Sequence, residues 1–578
     1  MPDQQDLDAL VVGAGFGGIY QLKQLLDLNL DVKLIDIAED AGGTWHWNRY
    51  PGAMSDTESY LYRYSWDDDD LKSYPWHRTY LQGPEILEYL QHVVTRWNLR
   101  QHMQFKTELT GARWDDAAGR WIVGTSTGQT FRPKYLVTAL GLLSRQNLPK
   151  IPGLDTFKGE LCHTARWPQD LKLEGKRVGV IGNGSTGVQL ITAIAKQVKQ
   201  LVCFQRTPQY SVPSGDKEID KEYRKDLNEK YPEIWKQAKE SAFAFGFEES
   251  SRPTFSVSDE ERDRIFEEAW QTGGGFRFMF ETFGDISTDE AANDACAEFI
   301  RRKIRETVKD PETARKLQPT DYHARRPLCD SGYYQQFNRD NVDLIDLKET
   351  PITEITPDGI KLSNGDVVEL DVIAFATGFD AVDGNYTRVL IEGRDGHTLK
   401  DHWDEVGPTS YLGVSVPKFP NMFMILGPNG PFTNLPPTIE TQVEFITELI
   451  SIAEKGGPVR IDGAVTNGHT NGSTNGHAHA ESNGYTDGDT HAEGNGTNGV
   501  KPASPSLIEA SSEAEEEWTD TCDKLSAGSL FRKTDSWIFG SNVPGKKPAV
   551  MFYFGGLANY RKVLGEVTEG GLKGFRQF

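Results

Sequence analysis

The stretch LDALVVGAGFGGIYQLKQLLDLNLDVKLID, from Leu7 to Asp36, decides the fold. An apolar run ends in a glycine-rich turn, an apolar stretch of helical length follows, and DVKLID closes the unit. The pattern predicts strand, turn, helix, strand. The turn Gly13-Ala14-Gly15-Phe16-Gly17-Gly18 supplies GxGxxG at the strand-to-helix junction. Gly13 permits the tight turn, Gly15 lets the backbone approach a diphosphate, and Gly18 lets helix and strand pack closely, with the positive end of the helix dipole facing the phosphates. Asp36 ends the second strand, 18 residues beyond Gly18. Its carboxylate is placed to hold a ribose hydroxyl and repels a 2′-phosphate, which favours FAD or NAD.

The same grammar returns between Lys176 and Arg206, where KRVGVIG, a glycine turn, GVQLITAIAKQV and QLVCFQR succeed one another. Its turn is Gly182-Asn183-Gly184-Ser185-Thr186-Gly187, but 19 residues beyond Gly187 stand Arg206 and Thr207 rather than an acid. A guanidinium fork beside a hydroxyl is what a 2′-phosphate needs, so the second ligand should be NADPH. The alternative is a plain surface arginine at a strand end. Two dinucleotide sites in one chain suggest hydride transfer from nicotinamide to flavin. No CxxC pair is present, which argues against a disulfide reductase and leaves oxygen or a quinone-like acceptor.

The 578 residues carry 62 basic and 85 acidic side chains, a net charge of −23, which opposes nucleic-acid binding. Length alone allows about three or four compact units. The five cysteines lie far apart, as expected of free thiols in a reducing compartment. The acidic start, the lack of a bilayer-length apolar run, and a GFRQF terminus unlike the peroxisomal signal predict a cytoplasmic protein with no membrane partner. Glu85 to Trp97 shows helical periodicity after Pro84. Residues 215–319 read as charged helices interrupted by GGGFRFMF at Gly273 to Phe280. Residues 466–499 are Asn-, Gly-, Thr- and His-rich and predict a disordered loop. His469, His477, His479 and His491 lie there, but a flexible tract makes a poor preorganised metal site, so no metal is expected.

Between the two units, Phe157-Lys158-Gly159-Glu160-Leu161-Cys162-His163-Thr164-Ala165-Arg166-Trp167-Pro168 matches FxGxxxHxxxWP. Here the chain resembles the Baeyer–Villiger monooxygenases, most of all those of the cyclohexanone type. Gly42 to Gly52, Arg325 to Tyr334, Ala376 to Asp380, Gly427 to Pro437 and Ser536 to Lys547 match as well. The N-oxygenating relatives share both glycine turns but typically place Phe or Tyr where Trp167 stands. One departure is Ala139-Leu140-Gly141, where the family often has ATG; it is expected to touch a domain junction rather than the chemistry.

The resemblance implies an α/β fold with two Rossmann-like, three-layer dinucleotide-binding domains. The FAD domain would be discontinuous, 1–145 and 381–578, and the NADPH domain would comprise 146–214 and 320–380 with the helical insertion 215–319. It implies that NADPH reduces FAD, oxygen adds at the flavin C4a, and the peroxide anion attacks a ketone to give an ester or lactone. Arg326 would be the catalytic cation and Asp56 its holder, although by themselves the two residues read equally as a surface ion pair. Arg325 would join Arg206 and Thr207 at the 2′-phosphate, and Trp537 would lie near the nicotinamide ribose. Thr44, Trp45, Asp56, Tyr62, Leu109 and Leu435 match flavin contacts, and Phe278, Phe432, Thr433 and Leu435 are candidates for an apolar ketone pocket. His163 and Trp167 would set domain orientation or act as a structural hinge. The competing readings are an N- or S-oxygenating flavin monooxygenase and a non-catalytic, redox-responsive flavoprotein.

Overall fold

A computed structural model describes residues 4–455, 507–543 and 545–577. The predicted low-complexity loop 466–499, with its four histidines, lies outside the described residues. The first unit folds as the strand Gln4–Val12, the helix Phe16–Asp27 and the strand Val32–Ile35. Phe16, Ile19, Tyr20, Leu22 and Leu25 recur at helical spacing, so one face of the helix is buried, much of it against the long helix Leu435–Lys455. Gln21 donates from this face to Thr447 at 3.0 Å, a buried polar contact between the two helices.

Gln4–Val12 is central in an eight-stranded sheet. It pairs in parallel with Val32–Ile35 on one side and Thr130–Thr138 on the other. The antiparallel strands Leu109–Asp115 and Arg120–Thr125 widen the sheet, while Leu390–Glu392 and Met422–Met424 join it from far along the chain. The second unit is the strand Arg177–Ile181, the helix Ser185–Ile194 and the strand Gln200–Gln205, within a five-stranded, all-parallel sheet. Val342–Asp346 and Val372–Phe375 return to this sheet, and Glu160–His163 forms its edge. The fold is α/β with two dinucleotide-binding units, and among the described residues no helix is long and apolar enough to cross a membrane.

The chain between the two halves of the second sheet is helical, as the charged pattern predicts: Lys221–Glu240, Asp259–Thr272, Glu290–Thr307 and Pro311–Leu317. The GGGFRFMF stretch differs from its expected role as a break. Only Gly273 and Gly274 turn the chain, with φ of 87° and 96°, and Gly275–Phe280 forms a short helix of its own. Two short strands, Ser211–Pro213 and Leu328–Asp330, pair in parallel where the insertion leaves and rejoins.

In the second glycine turn the three glycines differ in what surrounds them. A Cβ on Gly182 would lie 2.5 Å from the Ala376 carbonyl oxygen and one on Gly187 2.2 Å from that of Gly182, whereas one on Gly184 meets nothing within 4 Å. Gly187→Ala is therefore expected to destabilise the protein by about 3 kcal/mol. Gly184→Ala should keep the parent's thermal midpoint yet weaken NADPH binding, as thermal denaturation and NADPH titration of both variants would show.

Candidate functional site

The strand ends that carry the glycine turns open onto one cavity of about 1710 Å³. That exceeds the roughly 300–1,000 Å³ of a single small-molecule pocket and suits two dinucleotides. The helices Phe16–Asp27 and Ser185–Ile194 begin at this cavity on Gly15 and Gly184, with no side-chain cap and no acid in the first turn. By contrast, Lys221–Glu240, Asp259–Thr272 and Glu290–Thr307 are capped by Asp220, Ser258 and Asp289. The uncapped N–H groups are thus left for a ligand's phosphates. In the first turn, a Cβ on Gly13 would lie 2.3 Å from the Ala139 carbonyl oxygen and one on Gly18 only 1.7 Å from that of Gly13. Gly15 instead faces Gly43, whose own Cβ would meet Gly15 Cα at 2.6 Å, so two bare backbones approach each other at the cavity wall. These surroundings fit a diphosphate at each turn.

Asp36 lines the cavity beyond the first strand pair, accepting from the backbone N–H groups of Ala14 at 2.6 Å and Ala38 at 2.7 Å. Burial raises its pKa, and the two backbone bonds work against that. Phe16, Thr44, Trp45, Tyr62, Leu109 and Leu435 line the same cavity, and the Trp45 indole N–H donates to the Tyr62 hydroxyl at 3.3 Å. Gly18 and Gly187 do not line it; they lie behind the turns, where helix and strand meet. Asn183, Ser185, Thr186, Arg206, Thr207, Arg325 and Trp537 also line it. Arg206 is exposed and makes no hydrogen bond or ion pair among the described residues. Arg325 donates to the Asp535 carbonyl oxygen at 3.0 Å and pairs with Asp321 at 2.5 Å. Lys348 lines the cavity too, and sequence reading missed it. It follows the strand Val342–Asp346, which neighbours the strand ending at Gln205, and only the sheet order brings it near Arg206.

Arg326 and Asp56 meet at the cavity wall. Arg326 Nη2 donates to Asp56 Oδ1 at 2.6 Å, and Nη1 lies 2.6 Å from Oδ2. Nη1 is buried against that carboxylate and, although 2.6 Å from Oδ2, makes no well-directed hydrogen bond. Burial by itself would lower the arginine's pKa; the Asp56 charge and hydrogen bond overcome it, and the net shift is upward. The guanidinium, 28% exposed against 12% for the carboxylate, also lies 5.5 Å from the Phe276 ring centroid.

One expectation is corrected. Phe278 does not reach the cavity: it is fully buried against Phe266 and Phe299 in the insertion. Two residues turn a helix by more than half a revolution, so Phe276 faces the cavity instead, beside Phe243 and Phe245, while Phe432, Thr433 and Leu435 line it as expected. Ala139, Leu140 and Gly141 line the cavity, where Ala139 stands against Gly13 as Ala376 stands against Gly182, and Asn385 donates to the Leu140 and Gly141 carbonyl oxygens at 3.2 and 3.1 Å, so the triplet both supports a glycine turn and meets the returning chain. His163 and Trp167 are buried outside the cavity, but Arg166 between them lines it, stacked 3.3 Å from the Trp47 ring centroid.

The segment bearing Trp537 is fastened by charge. Lys546 Nζ pairs with Asp380 at 2.8 Å and Asp383 at 2.5 Å, Arg145 approaches Asp380 at 3.5 Å, and Asn542 donates to the Phe379 carbonyl oxygen at 2.8 Å. Arg145, Asp380 and Lys546 belong to three stretches that each contribute residues to the cavity wall.

Comparison with known proteins gives consistent matches. Residues 8–226 match the flavin-binding monooxygenase-like family. The chain is 50% identical to a cyclohexanone 1,2-monooxygenase of Acinetobacter sp, with 100% of this chain and 97% of that protein covered. It is 49% identical to a Baeyer-Villiger monooxygenase of Pseudooceanicola batsensis (98% and 95% covered) and 46% identical to a phenazine N-monooxygenase of Lysobacter antibioticus (99% and 97%). The crystal structure of a cyclohexanone monooxygenase from Rhodococcus sp. Phi1 bound to NADP+ matches with a TM-score of 0.90 at 52% identity, covering 100% of this chain and 99% of that one.

Burial lowers the His163 pKa from 6.5 to about 4. The unfolded chain therefore binds this proton first, and stability is lost as the pH falls from 6.5 towards 4. The slope should be about 1.4 kcal/mol per pH unit for this histidine. His163→Gln should remove that part of the slope, as unfolding free energies between the two pH limits would show. Lys546→Met leaves two carboxylates facing each other, and is expected to raise KM for NADPH about tenfold while FAD content holds, measured by initial rates and flavin absorbance.

Proposed function

The chain belongs to the Baeyer–Villiger monooxygenases, FAD- and NADPH-dependent enzymes that insert one atom of dioxygen beside a ketone carbonyl, and we propose that Arg326, held by Asp56, is the cation on which the reaction depends. Overall, ketone, O2, NADPH and a proton become ester or lactone, water and NADP+. The chemistry that FAD supplies when bound is hydride acceptance from NADPH and activation of dioxygen.

The observation that carries the assignment is the two-point ion pair opening onto the cavity shared by both glycine turns. Oxygen insertion builds negative charge on oxygen, and a guanidinium already oriented by its carboxylate stabilises that charge with little reorganisation. Asp56 fixes the guanidinium plane through both Nη atoms, and the part of the side chain left exposed at the cavity wall supports a role towards a reacting oxygen. Phe245, Phe276, Phe432 and Leu435 supply apolar walls that orient a carbonyl by exclusion, so cyclic and other apolar ketones are the proposed substrates.

For the cofactors we assign Gly13, Gly15, Asp36, Thr44, Trp45, Tyr62, Leu109 and Leu435 to FAD. Gly182, Gly184, Ser185, Thr186, Arg206, Thr207, Arg325 and Trp537 are assigned to NADPH, with Lys348 as a further cation. Residues 1–145 and 381–578 are proposed as the FAD domain, and 146–214 with 320–380 as the NADPH domain around the insertion 215–319. The membership of the two large sheets supports this division. Five buried free cysteines suit a cytoplasmic setting.

A second reading, oxygen transfer to a ring nitrogen, is favoured by the likeness to the phenazine enzyme. Offering cyclohexanone and phenazine side by side decides between them, with lactone as the expected product. Arg326→Ala should lower lactone formation by about 10²- to 10³-fold while FAD remains bound. Lactone at the parent's rate from this variant, measured by gas chromatography, would remove the proposed role.

A further inference from the structure

Behind the wall of the main cavity lies a second one of about 160 Å³. Phe243 and Phe432 line both, so two aromatic rings separate the spaces. Phe280, Phe531 and Phe554 complete an apolar interior: Phe243 stacks on Phe280 with centroids 3.9 Å apart, and Phe432 meets Phe554 at 5.3 Å and Phe531 at 5.7 Å. The outer rim is Ser287, Thr288, Leu525, Gly528 and Ser529, and Leu525 is 44% exposed, so the space runs from the main cavity's wall towards the surface.

Resting on the ketone reading above, we propose that this second cavity receives the alkyl substituent of an elongated ketone, with Phe243 as the ring that must turn aside to admit it. The occupant is argued from chemistry and continuity. The interior offers aromatic faces and no charged side chain, which suits a hydrocarbon chain and not a phosphate or carboxylate. It adjoins the main cavity at Phe432, next to Thr433 and Leu435, so a chain that leaves the carbonyl end reaches it once the Phe243 ring has moved. Phe243 lies in a segment whose backbone is held independently of its ring: its N–H donates to Glu249 at 2.8 Å, and its carbonyl oxygen accepts from Asn434 at 2.9 Å. The ring can therefore rotate while the main chain stays in place. Stacked on Phe280, it moves at the loss of one aromatic contact.

The test compares cyclohexanone with 4-ethyl-, 4-butyl- and 4-hexylcyclohexanone on the FAD-loaded enzyme, reading lactone by gas chromatography and the Kd of each ketone by calorimetry. Phe243→Ala is expected to raise kcat/KM for the hexyl ketone about tenfold relative to cyclohexanone. Ser287 makes no side-chain hydrogen bond in the structure, so Ser287→Trp fills the rim without breaking a described contact. It is expected to lower the hexyl-to-cyclohexanone ratio in both kcat/KM and affinity, and to cancel the gain when combined with Phe243→Ala. A gain shared equally by all four ketones would mean a general entrance, and overturns the proposal. So does a length preference that Ser287→Trp leaves intact. Lactone from no ketone in the parent enzyme would overturn the ketone reading itself, a failure distinct from either of these.

Discussion

The structure turns on a positive charge that is kept in place yet not used up. Arg326 gives Asp56 two close contacts and still leaves 28% of its side chain exposed at the cavity wall. A carboxylate with no arginine would leave a buried anion facing the cavity, and an arginine with no carboxylate would swing on a flexible stem. The pair also ties two distant stretches, the loop that carries Asp56 and the residues just before Leu328–Asp330, the strand where the insertion rejoins. Placement of this one ion pair thus depends on both dinucleotide-binding units being folded and juxtaposed.

Further links support that juxtaposition. The Tyr50 hydroxyl donates to Gln189 at 2.7 Å, and the Gln189 amide donates to the Met54 carbonyl oxygen at 3.1 Å, so the loop carrying Asp56 rests on the helix that starts at the second glycine turn. Arg277 pairs with Glu58 at 2.9 Å and so fixes the short insertion helix, with its Phe276, to the same loop. The insertion is therefore part of the cavity wall, held by this ion pair together with the stacking of Phe276 on Phe245. At the opposite side, Lys546 between two aspartates holds the Trp537 segment.

Much was legible because backbone geometry forces particular residue types at particular spacings. Only glycine fits 2.3 Å from the Ala139 carbonyl oxygen or 2.5 Å from that of Ala376, so the two turns announce themselves in any sequence. The acid at Asp36 and the Arg206-Thr207 pair sit at strand ends a fixed distance on, for the same reason. Phe278 misled because a family match names a stretch, while helical phase decides which ring in that stretch faces the cavity. Lys348, Arg166 and Phe243 gave no local signal: each is an ordinary residue until sheet order or the fold of the insertion carries it to the cavity.

By itself, then, the sequence determined that the chain carries two dinucleotide-binding turns and which of them suits a 2′-phosphate, since these follow from local turns whose geometry is set within about thirty residues, while the class of chemistry came with the family resemblance. Tertiary structure alone decided which aromatic rings wall the cavity, where a third cation stands, and that a second apolar space lies behind Phe243 and Phe432. Those are properties of surfaces contributed by segments hundreds of residues apart. Their contacts arise from packing and ion pairing, and neither has a signature in local spacing.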